Sequence, residues 1–305
     1  MSLTVAFCIP THNRLADLRR TLDALTKLHP PADEILIAAD GCNDGTVEWL
    51  RENHPGITLV VHDKSRGSIP SRNAIFRMSK SDVIVSIDDD SYPIETDAVS
   101  TLRTLFENNP PLGAVDLPQV TDERPETLQR ALGEFGPAHF CGTFVGAASA
   151  FRSRLIHEIG GYTDLFFHMY EEPDFAVRIH AAGWQVRFEP VLRVRHHWSG
   201  TGRSEIRNHH RHARNEFWSA LIRCPLPWLP LVAAFRAFRQ FTYAVKRGWA
   251  LREPAWWADA IRGIPACIRQ RSPLPWRAYR GWMDLIRRPH NDHVKWEGVF
   301  TRCDQ

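Results

Sequence analysis

The chain has 305 residues, enough for one large domain or a domain with an appendage, and its 43% hydrophobic and 24% charged content is that of an ordinary globular protein. The net charge of +3 conceals an asymmetry: from Glu216 onward 15 Lys and Arg face 7 Asp and Glu, a surplus of +8, and the remainder carries −5. The longest apolar run, Cys224 to Phe235, is broken by Pro225, Pro227 and Pro230, which excludes a bilayer span of ~20 residues.

Leu3–Pro10 (LTVAFCIP) reads as a buried strand, followed by a helix carrying Leu15, Leu18, Leu22 and Leu25 at helical spacing. Glu34–Asp40 (EILIAAD) is the next strand, then a Gly/Asn/Asp turn and a helix through Val47 and Leu50. Ile57–Asp63 is a third strand, SIPSRNAIFRMS a helix and DVIVSID a fourth strand. Strands alternating with helices predict an α/β fold with a parallel, doubly wound sheet, whose ligands bind beyond the carboxyl ends of the strands. Thr11, Asp40 and Asp88–Asp90 each fall just past a strand end and so share one rim.

The second half is less regular. GTFVGAASAFRSRLIHEIGGY reads as a strand, a short helix and a glycine stop. EEPDFAVRIHAAGW is a helix with Pro173 in its first turn, Gly183 at its end, and Phe175, Ile179 and Ala182 on its apolar face. Glu171, Glu172 and Asp174 crowd its N-terminus, where the helix dipole favours negative charge. VRFEP and LRVRHHWSG read as short strands, and His209, His210 and His212, without Cys or acidic partners at zinc spacing, as a basic loop or helix start. In the tail, Leu231, Ala234, Phe235, Phe238, Phe241 and Val245 share one side of a helix, with Arg236, Arg239, Lys246 and Arg247 largely off it. Such a helix suits a membrane interface, or it packs its aromatics on the body or a second subunit. Eight of the 11 Trp lie in this tail (Trp218, Trp228, Trp249, Trp256, Trp257, Trp276, Trp282 and Trp296), which suggests a separate task for it.

VIVSIDDDSYP ends an apolar strand in three aspartates. Like charges repel and a partly buried carboxylate is costly unless paired, so a hard divalent cation bridging to a substrate diphosphate is the economical explanation. The six cysteines show no CxxC pair or zinc spacing, and the sequence enters its first strand with no signal-peptide pattern; both point to a reducing, cytosolic setting.

FCIPTHNR, EILIAADGCNDGT, GSIPSRNAI, VIVSIDDDSYP, FVGAASAFRSRLIHEIGGY, YEEPDFAVRIHAAGW and VRHHWSG follow one another in the order and spacing of family 2 glycosyltransferases of the GT-A fold, and the chain resembles that family over roughly Leu3–Arg214. The resemblance implies a catalytic domain at 1–215, with 216–305 a C-terminal Trp/Arg-rich helical region. It implies inverting transfer of a sugar from a nucleotide-sugar, with Mg²⁺ or Mn²⁺, to a glycan, lipid-linked or envelope acceptor. Pro10, Thr11 and Arg14 then form the first nucleotide-contacting turn, Asp40 reads the base (uracil is expected), and Arg72 contacts nucleotide or diphosphate. Asp88 and Asp90 match the DxD pattern, Asp88 towards ribose or metal and Asp90 as metal ligand, with Asp89 at the variable position of the donor site. His196 and His197 match a place where relatives carry a metal- or diphosphate-contacting His, and imidazole suits Mn²⁺ better than Mg²⁺. Glu171 and Glu172 match a Glu-Asp pair whose second member is the general base; Glu172 replaces the usual Asp, which leaves the role open among Glu171, Glu172 and Asp174. Gly146 and Gly160–Gly161 mark tight turns or close approach to the donor.

Two other readings compete. A sugar-phosphate nucleotidyltransferase would carry a Gly-rich loop where this chain reads IPTHNR. A catalytically inactive nucleotide- or carbohydrate-binding homologue would keep the fold, and the Asp-to-Glu change allows it. No nucleic-acid-binding module is visible, so no nucleic-acid partner is expected.

Overall fold

A computed structural model describes residues 2–197 and 204–301. Its strands are β1 (Val5–Thr11), β2 (Glu34–Asp40), β3 (Thr58–His62), β4 (Val83–Ile87), β5 (Ser91–Pro93), β6 (Leu112–Asp116), β7 (Gln119–Thr121), β8 (His139–Phe140), β9 (Ala148–Arg152), β10 (Gln185–Phe188) and β11 (Val194–His196). The helices are α1 (Leu15–Leu25), α2 (Thr46–Asn53), α3 (Ser68–Met78), α4 (Ala98–Asn108), α5 (Arg154–Glu158), α6 (Glu171–Ala181), α7 (Glu205–Arg223), α8 (Leu229–Lys246), α9 (Glu253–Arg269), α10 (Trp276–Arg287) and α11 (His293–Phe300).

The main sheet has the order β3-β2-β1-β4-β9-β6-β10-β8, with β1 parallel to both β2 and β4. Successive side chains of a strand face opposite ways, so β1 feeds two cores. Phe7 and Ile9 pack with Leu18, Leu22, Leu102 and Phe106 from α1 and α4, while Ala6 and Cys8 pack with Ile75, Phe76 and Phe175 from α3 and α6. The doubly wound sheet is mostly parallel, as expected, with two antiparallel members: β8 on the edge beside β10, and β9, inserted between β4 and β6 with Ala148 opposite Ile87. The chain reaches this place from the rim without a crossover helix, and an antiparallel strand needs none. The residues before β9, Gly146 among them, therefore lie beside the end of β4.

A second sheet, β5-β11-β7, pairs His196 with Ser91 and with Thr121. It carries His196 to the residue that follows Asp90. Trp198–Gly200 of the VRHHWSG stretch lie outside the described residues.

The C-terminal helices pack against this body. Trp218, Trp256, Trp282 and Trp296 are buried; the Trp282 indole donates to the Gly142 carbonyl at 2.7 Å and that of Trp296 to His180 Nδ1 at 3.1 Å. Much of the Trp surplus is therefore core. His209, His210 and His212 lie in the first half of α7, with His209 Nε2 2.9 Å from Glu253. Helix α8 is turned inside out: Leu231, Phe235, Phe238, Phe241 and Val245 are 44–67% exposed, while Arg236 and Gln240 are buried. Among the described residues no helix is long and apolar enough to cross a membrane.

Candidate active site

The three aspartates divide, because the chain turns as β4 ends: Asp88 and Asp90 converge, while Asp89 turns to Thr11 and Arg14. The Ser91 hydroxyl accepts from the Asp88 N–H at 2.7 Å and the Ser91 N–H returns to the Asp88 carbonyl at 3.1 Å. Asp88 meets the Arg72 guanidinium. Asp89, 5% exposed, accepts from Thr11 Oγ1 at 2.8 Å and pairs with Arg14 at 3.0 Å. Asp90, 1% exposed, pairs with Arg14 at 2.7 Å and with His196 Nε2 at 3.2 Å. Burial pushes the Asp89 carboxyl up to about 7 against the pull of Arg14. Burial acts the same way on Asp90, but His196 and Arg14 outweigh it and hold that carboxyl below its ordinary range.

One ligand atom each from Asp88, Asp90 and His196 lie within 4.8 Å of one another. Two carboxylates and an imidazole form a donor set that suits Mn²⁺ and accommodates Mg²⁺. Gln119 on β7 holds the other imidazole nitrogen, Nδ1, at 2.7 Å, which leaves Nε2 towards the carboxylates. His197 does not join the cluster, a correction to the expectation that either histidine would serve. Adjacent residues of an extended chain point to opposite sides, and His197 lies at 2.9 Å from the Tyr92 hydroxyl and 3.4 Å from Asp122.

A hydrogen-bond chain runs from this cluster to the acidic end of α6. Arg72, bound to Asp88, donates through Nε to Ser86 Oγ at 3.2 Å; Ser86 donates to the Gly146 carbonyl at 3.0 Å; and the Gly146 N–H donates to Glu172 Oε1 at 3.2 Å. A Cβ on Gly146 would stand 2.8 Å from that same oxygen, so only glycine permits the approach. Glu171 is 5% exposed, and its Oε2 is buried with no hydrogen-bond partner among the described residues. Burial first and the Glu172 charge second raise Glu171, and burial, with the Asp88 charge adding to it, raises Glu172.

Asp174, the third acid, is not part of this pair. Fully buried, it accepts from Thr163 at 2.7 Å and Ser219 at 2.9 Å and pairs with Arg178 at 3.3 Å and Arg223 at 3.2 Å. Burial alone would raise its carboxyl, but the two guanidiniums prevail and hold it at about 2. It fastens α6 to α7. Asp40 is likewise committed: its two oxygens accept from His62, Ser65 Oγ and the Arg66 and Gly67 N–H groups at 2.7–3.1 Å, which fills a carboxylate's capacity of about four bonds. Any further donor would have to exchange with one of these. Pro10 and Thr11 are buried within β1, so of the first turn it is Arg14 that presents a side chain to the rim.

Other participants carried no sequence motif. Asp116, at the end of β6, accepts from the Val145 N–H at 2.9 Å, next to the Gly146 that holds Glu172; burial first, and the Glu172 charge second, push it up to about 7. Phe167, Met169 and Tyr170, just before Glu171, all have φ between +66° and +77°. Non-glycine residues adopt this region at a cost and persist there when neighbours over-determine them. Asn215 of α7, wholly buried, supplies that constraint: its Nδ2 lies 2.7–3.1 Å from the carbonyls of Phe166, His168 and Met169.

The family model described as glycosyl transferase family 2 matches residues 6–229. The probable glycosyltransferase YdaM of Bacillus subtilis is 28% identical over 208 residues, 61% of this chain and 49% of that protein. The glucosyl-dolichyl phosphate glucuronosyltransferase of Haloferax volcanii is 26% identical over 222 residues, 64% of this chain and 69% of that one. The chain spans about half the length of YdaM and of the poly-beta-1,6-N-acetyl-D-glucosamine synthase of Staphylococcus epidermidis. Among solved structures, the mannosyltransferase PcManGT from Pyrobaculum calidifontis, in complex with GDP-Man and Mn²⁺, superposes with a TM-score of 0.56 at 18% identity over 87% of each chain. S. aureus TarS 1–349 in complex with UDP gives 0.61 at 12% identity over 85% of this chain and 79% of that one. At these identities the structural likeness speaks for the GT-A fold, and the match over residues 6–229 settles the family: the chain belongs to glycosyl transferase family 2.

Proposed function

We propose that this chain is an inverting glycosyltransferase that moves a sugar from a nucleotide-sugar, UDP-linked by expectation, to a hydroxyl group. The observation that carries the reading is the hydrogen-bond chain from Asp88 to Glu172, which ties a candidate cation site to a candidate base across one rim. Asp88, Asp90 and His196 would hold a divalent cation, which when bound neutralises charge on the departing diphosphate. Arg14 and Arg72, now paired with Asp90 and Asp88, turn to the phosphates when a donor enters. Asp40 and the Ser65–Gly67 turn form the wall for the base, and Thr11 and Asp89 brace the turn beneath it. Glu172, fixed by Gly146, accepts the proton of the acceptor hydroxyl as its oxygen attacks the anomeric carbon from the face opposite the diphosphate. Its proton affinity, raised by burial with the Asp88 charge adding to it, suits that role.

We assign residues 1–215 to donor binding and chemistry and 216–305 to the acceptor side. The exposed apolar face of α8, rimmed by basic residues, supports peripheral contact with a membrane. The inner, reducing side of that membrane is the expected location, a reading that rests on the spacing of the cysteines in the sequence. Donor hydrolysis with water as a slow acceptor tests the chemistry without a known acceptor. With Mn²⁺, NMR should show the first-formed sugar with the anomeric configuration opposite to the donor's; retention would contradict the mechanism.

A further inference from the structure

A cavity of about 380 Å³ lies among the start of α6 and helices α7, α8 and α10, within the roughly 300–1,000 Å³ of small-molecule sites. Tyr170 and Pro173, which flank Glu171 and Glu172 in the chain, form one end of it, and α8 and α10 form the opposite walls. The walls are largely hydrocarbon, with Leu231, Val232, Phe235, Met283 and Ile286 lining it. Leu231 and Phe235 are 67% and 53% exposed, so this surface meets water when nothing fills it. The cations outnumber the acids: Arg236, Arg239 and Arg287 line the cavity with a single carboxylate, Glu216. Arg236 is 6% exposed, packed 5.5–5.9 Å over Tyr170, Tyr279 and Trp282, with its hydrogen bond going to the Glu216 carbonyl at 3.0 Å.

This combination narrows the occupant. Apart from Thr143, His212, Glu216 and the arginines, the wall of Leu, Val, Phe, Met and Ile offers a sugar ring none of the dense polar partners it demands. A bilayer surface or a second folded chain is too blunt to enter a cavity of this size, whereas a flexible hydrocarbon chain fits it and Met and Phe adapt to it. Glu216 is already paired with Arg239, and the guanidinium surplus that remains on Arg236 and Arg287 calls for an anion; a phosphate is met by the planar fork of arginine. From the mouth, Phe238, Phe241 and Val245 continue the exposed apolar row along α8. We propose that the cavity binds the hydrocarbon chain of a phosphate-bearing amphiphile, whose phosphate is received by the arginines of the wall and which presents the acceptor hydroxyl to Glu172. The orientation of that hydroxyl rests on Glu172 being the base; the binding of the amphiphile does not.

The test is calorimetric titration of the full chain with farnesyl phosphate below its micellar concentration, with farnesol and inorganic phosphate as comparators. Saturable binding of farnesyl phosphate is expected, with each comparator about tenfold weaker or worse. Phe235→Asp, at an exposed position that tolerates charge, and Val232→Trp, which fills the cavity, should each weaken binding about tenfold or more, whereas Phe238→Ser, outside the cavity on the same helix, should leave it unchanged. Binding that is absent, or insensitive to Phe235→Asp, overturns the proposal. So does binding weakened equally by Phe238→Ser, which would mean adsorption to the α8 face, or phosphatidylglycerol vesicle binding or self-association by light scattering without uptake of farnesyl phosphate. UDP titration with Mn²⁺ on the same samples separates the two readings. Its failure in the unaltered chain would sink the transferase assignment, while the farnesyl phosphate result judges the cavity alone.

Discussion

The rim at the end of β4 and the outer face of α8 break the usual rule of burial in opposite directions. On the rim, Asp89 and Asp90 are almost wholly buried, and each is matched by Arg14 and a second partner. On α8, arginine is buried and phenylalanine is exposed. The rim resolves its conflict internally with pairs that a ligand can exchange; the α8 face leaves its conflict open, and only an apolar partner would close it. The difference teaches that a polar site advertises itself through its own chain, while an apolar site is recognised by what it fails to cover.

The largest expected effects separate the acids at the head of α6. Glu172→Gln should lower transfer or donor hydrolysis about 10²–10⁴-fold with the thermal transition unchanged. Asp174→Asn, which strands Arg178 and Arg223 without their carboxylate, should cost about 3–5 kcal/mol in denaturant unfolding. If the two variants exchanged these phenotypes, the base would be misassigned. Next in size, Asn215→Ala leaves buried carbonyls unsatisfied and should cost about 1–3 kcal/mol; it should slow transfer more than it weakens UDP affinity, because the strained stretch it holds runs directly into Glu171 and meets the start of α3 through the Phe167 carbonyl and His168. Equal loss of nucleotide affinity would dissolve the division between donor and acceptor sides.

The smallest effect concerns pH. Glu171 has a raised proton affinity in the folded chain, so its protonated form favours folding and that contribution is lost as pH rises through the folded value. Glu171→Gln removes the loss, and its stability relative to the unaltered chain should increase from pH 5 to pH 9. A flat difference would show that the Glu171 carboxyl titrates normally.

The donor half was legible because its signals are local. A strand and the turn that follows it occupy adjacent residues, so LTVAFCIP, EILIAAD and VIVSIDDDSYP placed their rim by themselves. What escaped depends on distant partners. Asp174 became a structural acid through Arg223, 49 residues away, and nothing in EEPD announces that. His196 and His197 are neighbours, and the register of β11 on β5 and β7 selected one of them. Periodicity grouped the apolar residues of α8 and they are exposed together, but of the basic residues set off that side Arg236 is buried while Arg239, Lys246 and Arg247 are exposed, and the usual inference that the apolar stripe turns inward fails there. Asn215 is one polar residue within a helix and carried no signal at all.

The most direct test is calorimetric titration of UDP, with GDP and dTDP as comparators, in the presence and absence of Mn²⁺, repeated on Asp90→Ala. The expected result is UDP binding that requires the cation and disappears in the variant. Nucleotide binding indifferent to Mn²⁺ and to Asp90, or no nucleotide binding under any condition, would contradict the role given to the aspartates that end β4.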